Sequence, residues 1–511
     1  MSTAVEDPVT PTTGGDGGER GVGAAAPGRN GGRLPVWVWA LPAVAALAVT
    51  APWIDRTALW EDELATLSAA TRSWSDLGRL VRTVDGVHAT YYGLMHVWTA
   101  VFGTSAVSLR LPSVLATAAA AALLAVLGAR LAGRRAGLVA GLLLAVVPSV
   151  SQYADDARPY ALVLAVAVGA TLALVDAVDR PGRWLWVRYA ALVALLGALQ
   201  VTATLLVLAH ACVVATGALG TGVVGTGVGR PRGVRPRAAA GFVAALGAAC
   251  VVVLPVAVLG SRQQAQIAWI RPPTPGRLLE LPPGLFVSAS VMAAVLGAAA
   301  TVVLRAGPVR RVAVPWALVP AVALVALSFT VVPLTSPRYL LFALPGWLLV
   351  AATATTDRRS AVALVALVLV LGLPAQTRLR GDVWYDQPDY RRVAAILDDR
   401  ARPGDAIAMT AWAPLRYRIG LRAYLSPRTR LDDVFAGEPA AAAATLDDLP
   451  CTPAADCLGT PARLWIGCWR GCGDPLAALA RDQAAAVRAV GYRRVEVWPV
   501  PADGSLTLWT R

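Results

Sequence analysis

The chain contains no lysine, because all 46 of the basic residues among its 511 are arginine. This absence excludes Schiff-base chemistry, a lysine general base and the lysine-containing phosphate loop of P-loop nucleotidases. A function that requires a cation must therefore use arginine or histidine, and the chain has only three histidines.

Charged residues are also scarce, whereas apolar residues are abundant. Charged residues make up 15% of the chain, against about 25% in a typical soluble domain. Apolar residues make up 56%, and the mean hydropathy is +0.57. A soluble protein of this size cannot bury that much apolar surface, so the composition predicts a polytopic membrane protein. The net charge of +14 lies mostly in short arginine clusters between apolar runs, which is typical of cytoplasmic loops rather than of a nucleic-acid surface.

Eleven apolar runs, several of them short, predict an all-α domain with about eleven transmembrane helices. They lie near residues 35–53, 111–131, 136–150, 160–178, 188–203, 204–220, 238–260, 284–304, 312–332, 339–356 and 360–375. The stretch 188–220 fits either one long helix or two passes that turn near Thr202 and Thr204. Only two passes keep all the arginine clusters on the inner side, which places the N-terminus in the cytoplasm and the C-terminus outside.

The apolar domain, residues 34–375, is flanked by two segments of different character. Residues 1–33 are rich in Gly, Thr, Pro and Ala and predict a disordered cytoplasmic tail. Residues 376–511 regain charge and predict a small extracytoplasmic α/β domain. Its predicted helices are Tyr390–Asp399 and Pro475–Val490, and its predicted strands are Ala406–Thr410, Leu464–Cys468, Arg494–Pro499 and Leu506–Thr510.

Four of the six cysteines lie in this C-terminal domain, within a stretch of 22 residues. They are Cys451, Cys457, Cys468 and Cys472. Outside the cytoplasm they predict two disulfides, whose pairing stays open. Zinc is the alternative, but the spacings Cys-x5-Cys and Cys-x3-Cys lack the tight knuckle of a zinc site, and no histidine lies nearby.

The first predicted outer loop begins with three carboxylates, Glu61, Asp62 and Glu63. Burial near the lipid surface raises the pKa of a carboxylate towards the range of a general base, so Asp62 and Glu63 are candidate catalytic residues. The alternative is a helix N-terminus, where acidic residues are favourable without any chemistry.

The same loop carries His88, Tyr91, Tyr92 and His96. At 100° per residue, His88, Tyr92 and His96 share one helical face, which predicts an interfacial helix with an aromatic belt. Tyr91, Tyr92 and His96 are candidates for a substrate pocket, together with Asp155 and Asp156 of the next predicted outer loop. His88 either contacts a phosphate or belongs to a helix that serves only as an anchor.

Two arginines stand on the predicted outer side, Arg158 and Arg338. Arg158 is costly at this depth unless it is paired, either with Asp155 or Asp156 or with a phosphate. Arg338 breaks the local charge rule and either binds a ligand or extends to lipid headgroups. Tyr160 and Tyr339 accompany these arginines, and the segment 261–283, which carries Trp269, is a candidate lid.

The order and spacing of these motifs resemble the GT-C class of membrane glycosyltransferases. The residues that carry the resemblance are Asp62-Glu63, His88…Tyr91-Tyr92…His96, Ser151-Gln152…Ala157-Arg158-Pro159-Tyr160 and Pro337-Arg338-Tyr339. The most similar branch, family 39/83, holds protein O-mannosyltransferases and lipid A aminoarabinose transferases. The resemblance covers residues 35–375 and, more loosely, the C-terminal domain.

The resemblance implies a glycosyltransferase that uses a polyprenyl-phosphate sugar, by analogy mannose, on the outer face of the bacterial cytoplasmic membrane. Asp62 matches the residue that acts as base on the acceptor hydroxyl. His88, Arg158, Tyr160, Arg338 and Tyr339 match positions near the donor phosphate and lipid. No cofactor is expected, and a divalent metal is not excluded.

The acceptor stays open between a protein, a glycolipid and a polysaccharide. The alternative function is a transporter or flippase of a lipid-linked sugar. Transporters usually show repeated halves and charges at mid-membrane, whereas here the charges collect on one face, which favours an enzyme.

Overall fold

The computed structural model describes residues 33–180, 182–218, 236–304, 307–381, 388–409, 417–469, 472–501 and 504–511. The predicted tail, residues 1–33, lies outside these ranges except for Arg33. Pro35–Arg511 form one compact unit.

Sixteen helices form the apolar part of this unit. They are α1 (Val36–Thr50), α2 (Glu61–Ala70), α3 (Trp74–Thr83), α4 (Ala89–Phe102), α5 (Ala106–Ala132), α6 (Arg134–Val146), α7 (Pro148–Ala154), α8 (Tyr160–Asp179), α9 (Arg183–Leu199), α10 (Leu206–Ala218), α11 (Pro236–Arg262), α12 (Pro275–Phe286), α13 (Ala289–Ala300), α14 (Pro308–Thr330), α15 (Leu344–Ala352) and α16 (Arg358–Leu379). Short 3₁₀ turns lie at Ala51–Trp53, Gly86–His88, Val201–Leu205, Gln264–Ile267 and Pro337–Ala343.

Among the described residues, six helices are long and apolar enough to cross a membrane, or eight if two bent pairs each count as one span. The bent pairs are α6 with α7, at 61°, and α12 with α13, at 87°. Each of the eleven predicted runs coincides with a helix, a bent pair or a shorter apolar helix. The count of eleven spans stays a prediction.

The ambiguous stretch 188–220 is two helices, α9 and α10, which are separated at Gln200 and the 3₁₀ turn Val201–Leu205. His210 of α10 lies within 3.0 Å of the hydroxyls of Thr171 in α8 and Tyr189 in α9. Both ring nitrogens of His210 therefore have a partner, and this buried contact joins three neighbouring helices.

Close helix packing depends on glycine between α5 and α6. A Cβ atom on Gly137 would lie 2.3 Å from the carbonyl oxygen of Ala125. Gly133 separates the two helices with φ +90°, a conformation that side chains with a Cβ rarely adopt. The two helices can therefore fold back on each other at backbone contact distance.

The C-terminal part consists of one mixed sheet and four helices. The helices are α17 (Tyr390–Arg400), α18 (Tyr417–Tyr424), α19 (Ala454–Leu458) and α20 (Arg481–Val490), with a 3₁₀ turn at Pro475–Ala478. The strands are β1 (Ala406–Ala408), β2 (Asp432–Asp433), β3 (Arg463–Cys468), β4 (Arg493–Val500) and β5 (Gly504–Thr510). The sheet order is β2-β1-β3-β5-β4, with β1 parallel to β2 and β3, and β5 antiparallel to β3 and β4.

This sheet matches the predicted α/β pattern, with differences at element ends. The predicted helix Pro475–Val490 is a 3₁₀ turn followed by α20, and Thr410 lies outside the described residues. The predicted domain boundary at 375 falls inside α16, which continues to Leu379. The cysteines pair as Cys451–Cys457 and Cys468–Cys472.

The C-terminal part directly contacts the segment that was predicted to be the first outer loop. Arg391 of α17 donates to the Asp55 carboxylate at 2.7 Å, and the backbone N–H of Leu59 donates to the Tyr424 hydroxyl at 2.9 Å. Arg72 donates to the carbonyl oxygen of Ala440 at 3.2 Å. These contacts hold the chain on both sides of α2, at Asp55 and Leu59 before the helix and at Arg72 after it.

Candidate active site

The first turn of α2 places Asp62 and Glu63 side by side in sequence but in different surroundings. The Glu63 carboxylate accepts a hydrogen bond from the backbone N–H of Trp60 at 3.2 Å, which closes the helix N-terminus. Acidic residues in a first turn also interact favourably with the helix dipole. The capping interpretation of this motif is therefore correct for Glu63.

Glu63 forms a closed ion pair with Arg110 of α5. Nε and Nη2 of Arg110 donate to the two carboxylate oxygens, each at 2.6 Å, and both side chains are almost fully buried. Arg110 also donates to the carbonyl oxygens of Ile54, Thr57 and Ala58. Glu63 thus fixes the backbone around the start of α2, and this arrangement favours a structural role over the catalytic role predicted for it alongside Asp62.

The same ion pair fastens the loop between α7 and α8. The backbone N–H of Ala157 donates to Glu63 Oε1 at 2.9 Å, and the Thr66 hydroxyl donates to the carbonyl oxygen of Ala157 at 2.9 Å. On the other side, the Ser113 hydroxyl donates to the carbonyl oxygen of Asp156 at 2.7 Å. These contacts bring Arg158, the next residue of the loop, beside Asp62.

Asp62 faces both outer arginines. Arg338 Nη1 donates to Asp62 Oδ2 at 2.8 Å, and Arg158 Nε lies 3.9 Å from the same oxygen. Arg158 Nη1 is also 3.4 Å from the backbone carbonyl oxygen of Asp62. The Asp62 side chain remains 21% exposed, whereas that of Glu63 is 0% exposed. A substrate can therefore reach the first carboxylate but not the second.

Arg158 is held on its other side by His88 and Tyr92. Its Nη2 donates to His88 Nε2 at 2.8 Å, its Nη1 lies 3.3 Å from the Tyr92 hydroxyl, and that hydroxyl donates to Asp85 at 2.7 Å. Burial, and secondarily the charge of Arg158, lowers the pKa of His88 to about 3. His88 is therefore neutral, and because Nε2 accepts a hydrogen bond, the proton resides on Nδ1.

Aromatic rings surround Arg338. Its guanidinium carbon lies 4.6 Å from the ring centre of Trp269, 5.7 Å from that of Tyr339 and 5.9 Å from that of Tyr160. Planar guanidinium groups stack well on such rings. Tyr339 belongs to the same 3₁₀ turn as Arg338, whereas Tyr160 comes from α8 and Trp269 from the segment between α11 and α12, so two further elements contribute rings around this cation.

Three buried N–H donors around Asp62 have no hydrogen-bond partner among the described residues. They are Arg158 Nε, Arg338 Nε and His88 Nδ1. Buried donors normally find acceptors, because an unpaired one costs about 1–3 kcal/mol. A cluster of unpaired donors on and beside two cations is therefore suited to an anion with several oxygens, such as a phosphate.

Two kinds of comparison relate the chain to known proteins. Residues 91–221 match a family described as dolichyl-phosphate-mannose-protein mannosyltransferase. No curated protein matches the chain in sequence. ArnT from Cupriavidus metallidurans, in the apo state, aligns with a TM-score of 0.58 at 15% identity over 92% of this chain and 97% of ArnT. The chain has the fold of the GT-C glycosyltransferases.

Two further structures show the same kind of likeness. ArnT from Cupriavidus metallidurans bound to undecaprenyl phosphate aligns with a TM-score of 0.55 at 15% identity, over 93% of this chain and 98% of ArnT. Arabinofuranosyltransferase AftD from Mycobacteria aligns at 0.48 and 18% identity, over 94% of this chain and 42% of AftD. The family match and the two ArnT alignments confirm the resemblance inferred from the sequence motifs at the level of the fold. Together with the six to eight apolar helices among the described residues, this fold indicates a multi-pass membrane protein.

Within the GT-C fold of this chain, His96 does not join the site. Its Nδ1 lies 3.0 Å from the carbonyl oxygen of Ala70, and its ring packs on Trp74 at 4.2 Å. His88 is the N-cap of α4, and its ring centre lies 5.9 Å from that of Tyr92. His96 lies eight residues further along the chain, which is about 12 Å along the helix axis, so it is too far along α4 to join the arginines.

The aromatic belt predicted for α4 is also corrected. Tyr91 and Tyr92 are both 0% exposed and lie inside the GT-C helix bundle rather than at its surface. Tyr92 contacts Arg158, whereas the Tyr91 hydroxyl is buried without a hydrogen-bond partner among the described residues. Only Tyr92 of this pair therefore contributes to the arginine cluster.

Asp155 and Asp156 do not form the ion pair with Arg158 that was one of the two alternatives, because Arg158 turns to Asp62 instead. Asp156 accepts a hydrogen bond from the indole N–H of Trp60 at 3.0 Å. Burial raises the pKa of Asp155 to about 7 and also raises the pKa of Asp156. Both line a small crevice together with Arg56 and Arg380.

Arg110 is the functional neighbour that the sequence analysis missed. It lies in α5, whereas the predicted span began at residue 111, so it looked like a loop arginine. An arginine at the end of an apolar run is expensive unless it is paired, and that signal was available. No described group of three or more His, Cys, Asp or Glu side chains could hold a metal ion.

Proposed function

We propose that the chain is a glycosyltransferase that moves a sugar from a polyprenyl-phosphate donor to an acceptor hydroxyl. The two arginines beside Asp62 bind the donor phosphate, and Asp62 acts as the base. The observation that carries the proposal is the set of unpaired, buried N–H donors on Arg158, Arg338 and His88 around one accessible carboxylate.

The reaction requires a balance of charge that this arrangement supplies. The acceptor oxygen forms a bond to the anomeric carbon, the bond from that carbon to the phosphate oxygen breaks, and the hydroxyl proton passes to Asp62. The polyprenyl phosphate leaves with one additional negative charge. Arg158 and Arg338 stabilise that charge as it develops, which is the usual basis of electrostatic catalysis.

Asp62 suits the role of base because its carboxylate is partly exposed and lies directly beside the two arginines that would hold the donor phosphate. A positioned carboxylate within reach of the acceptor hydroxyl can accept its proton. When phosphate binds, Arg338 can contact it through Nε while its Nη1 still touches Asp62. The arginine thus links the base to the leaving group.

An apolar groove offers a place for the prenyl tail. It has a volume of about 380 Å³ and lies between α12, α13, α14 and the segment Pro337–Ala352. Leu340 lines it, two residues after Arg338. A lipid whose phosphate meets Arg338 would place its first isoprene units against this wall. The ArnT structure described as bound to undecaprenyl phosphate supports this class of donor.

The remaining parts of the proposal concern location and partners. The site operates on the outer face of the bacterial cytoplasmic membrane, with the N-terminus inside and the C-terminal sheet outside. The two disulfides of the sheet fit an oxidising compartment. No cofactor takes part, and the acceptor is a protein, a glycolipid or a polysaccharide. Mannose is the first sugar to test, because of the family that residues 91–221 match.

The test is a transfer assay with the full chain in lipid nanodiscs. A panel of undecaprenyl-phosphate sugars, each carrying a different hexose or pentose, is incubated with membrane extracts that contain the three acceptor classes. Product mass then identifies the sugar and the acceptor. We expect transfer by the wild type and a rate about 10²–10⁴-fold lower for Asp62→Asn. Movement of a donor across proteoliposomes without transfer would instead indicate a transporter.

A further inference from the structure

Gln263 is the link between the first outer loop and the segment that carries Trp269. It follows the last residue of α11, and its side chain points back to the turn between α3 and α4. The backbone N–H of Gly86 donates to Gln263 Oε1 at 2.7 Å, and Gln263 Nε2 donates to the carbonyl oxygen of Val81 at 3.0 Å. One side-chain amide thus satisfies two backbone groups of a different element.

These two backbone groups belong to element ends that need partners. Val81 lies in the last turn of α3, and Gly86 begins the 3₁₀ turn that ends at His88. Terminal carbonyl and N–H groups have no partner within their own helix. Gln263 provides both, and it does so across the turn whose geometry sets the position of His88.

The turn between these groups is strained. Asp85 has φ +54°, in the left-handed region that residues with a Cβ seldom adopt. Such strain persists only where surrounding contacts enforce it. The Tyr92 hydroxyl donates a hydrogen bond to the Asp85 carboxylate at 2.7 Å, and the backbone N–H of the adjacent Gly86 donates to Gln263 Oε1 at 2.7 Å. These two contacts enforce the conformation of the turn.

Two glycines allow the close approach. A Cβ atom on Gly86 would lie 2.4 Å from Cδ2 of Leu259 and 2.7 Å from the carbonyl oxygen of Val81. A Cβ atom on Gly260 would lie 2.4 Å from Cγ1 of Val87. The end of α11 and the Gly86–His88 turn therefore fit together with no room for a larger residue on either side.

We infer that Gln263 is a positioning residue for the donor-phosphate site and acts through His88. It fixes the Asp85–His88 turn, and His88 Nε2 in turn orients the Arg158 guanidinium through a contact of 2.8 Å. The same segment continues to Trp269, which stacks on Arg338. One connection between α11 and α12 thus sets the positions of both arginines. The effect on binding of the donor phosphate rests on the proposed function, whereas the contacts of Gln263 with the Asp85–His88 turn do not depend on it.

A first experiment therefore needs no donor. The chain has three histidines, so ¹⁵N-histidine labelling of the full chain in nanodiscs gives a spectrum in which His88→Ala identifies the His88 ring nitrogens. We expect a fixed Nδ1–H tautomer in the wild type. Gln263→Leu should shift those signals or mix the tautomers, whereas Gln266→Leu, an exposed neighbour, should leave them unchanged. Unchanged His88 signals in Gln263→Leu would overturn the inference.

A second experiment measures the consequence as binding of undecaprenyl phosphate. We expect Gln263→Leu to bind about tenfold more weakly, which corresponds to about 1.4 kcal/mol. Gly86→Ala should act in the same direction, and Gln266→Leu should bind as the wild type does. In the double variant with His88→Ala, Gln263→Leu should add little, because both act on the same arginine.

The outcomes separate the two claims. If the wild type does not bind undecaprenyl phosphate, the proposed function fails, and the ¹⁵N spectra still decide whether Gln263 sets His88. If the wild type binds and Gln263→Leu binds equally well, or if its effect adds fully to that of His88→Ala, the positioning role is wrong. Thermal unfolding of each variant shows whether it is folded.

Discussion

Asp62 and Glu63 are neighbours in one helical turn, yet their surroundings differ in every respect that matters for chemistry. Glu63 is fully buried and both its oxygens are taken by one arginine, whose own donors are also all used. Asp62 is partly exposed, and the two arginines beside it keep unpaired donors. We call the pair Glu63–Arg110 closed, because all its donors and acceptors are used, and such a pair stabilises the fold. We call Asp62 with Arg158 and Arg338 the open cluster, because its unpaired donors can bind a ligand.

The largest effect is expected on the transfer rate when Asp62 of the open cluster is changed. Asp62→Asn keeps the size and the contact with Arg338 but cannot accept the acceptor proton. Removal of a general base costs about 10²–10⁴-fold in rate. We expect a loss of this size in the transfer assay, with thermal unfolding close to that of the wild type. Glu61→Gln, one residue away, is the matched control and should remain active.

Substitutions in the closed pair Glu63–Arg110 should lower the thermal stability of the protein rather than change its chemistry. Glu63→Gln leaves Arg110 buried without its counter-charge, and breaking a buried pair typically costs about 3–5 kcal/mol. We expect a clear fall in the thermal unfolding midpoint in detergent. The double variant Glu63→Leu with Arg110→Met should recover part of it, because no charge is left uncompensated. A Glu63→Gln protein that unfolds normally but is inactive would place Glu63 in the chemistry.

A smaller effect is expected from a conservative change of Arg338, which belongs to the open cluster. Arg338→Lys keeps the charge but loses the planar group that stacks on Trp269 and the fork that contacts Asp62 and a phosphate together. We expect the KM for the donor to rise about tenfold, on the basis of one lost charge-assisted hydrogen bond of about 1.5 kcal/mol. Arg277→Lys is the control and should leave the KM unchanged, because Arg277 is only half-buried and donates to the carbonyl oxygen of Pro272.

The smallest effect concerns pH and the crevice behind Trp60. Because the pKa of Asp155 in the folded protein is about 7, against an ordinary 3.8, the folded chain holds a proton that the unfolded chain releases. Stability therefore falls as the pH rises from about 4 to 7. Asp155→Asn removes this loss, so its unfolding midpoint should exceed that of the wild type at pH 8 by more than at pH 4. An equal difference at both values would contradict the assignment.

Much of the fold could be predicted from the sequence, because apolar runs and alternating patterns are local signals. The break at Gln200 followed from the arginine clusters on either side of the stretch 188–220. Helix α16, by contrast, runs four residues past the predicted boundary at 375, since Gln376 and Arg378 are polar yet still helical. Polarity alone does not end a helix.

The site was predicted only in part, because its geometry depends on contacts between distant segments. Asp62, His88, Arg158 and Arg338 were named from their motifs and meet in space. The pairing of Glu63 with Arg110 could not be read from the sequence, since 47 residues separate them. His96 was misplaced because it packs against Ala70 and Trp74, two turns further along α4, and a shared helical face does not show how far along the helix the site extends.

The central claim is that Arg158 and Arg338, the two arginines beside Asp62, bind the donor phosphate. The most direct test is the affinity of the full chain in nanodiscs for undecaprenyl phosphate, compared with that of the double variant Arg158→Gln, Arg338→Gln. Loss of two charge-assisted contacts of about 1.5 kcal/mol each predicts binding weaker by at least about 100-fold, while thermal unfolding confirms a folded protein. Equal binding by a folded double variant would contradict the account.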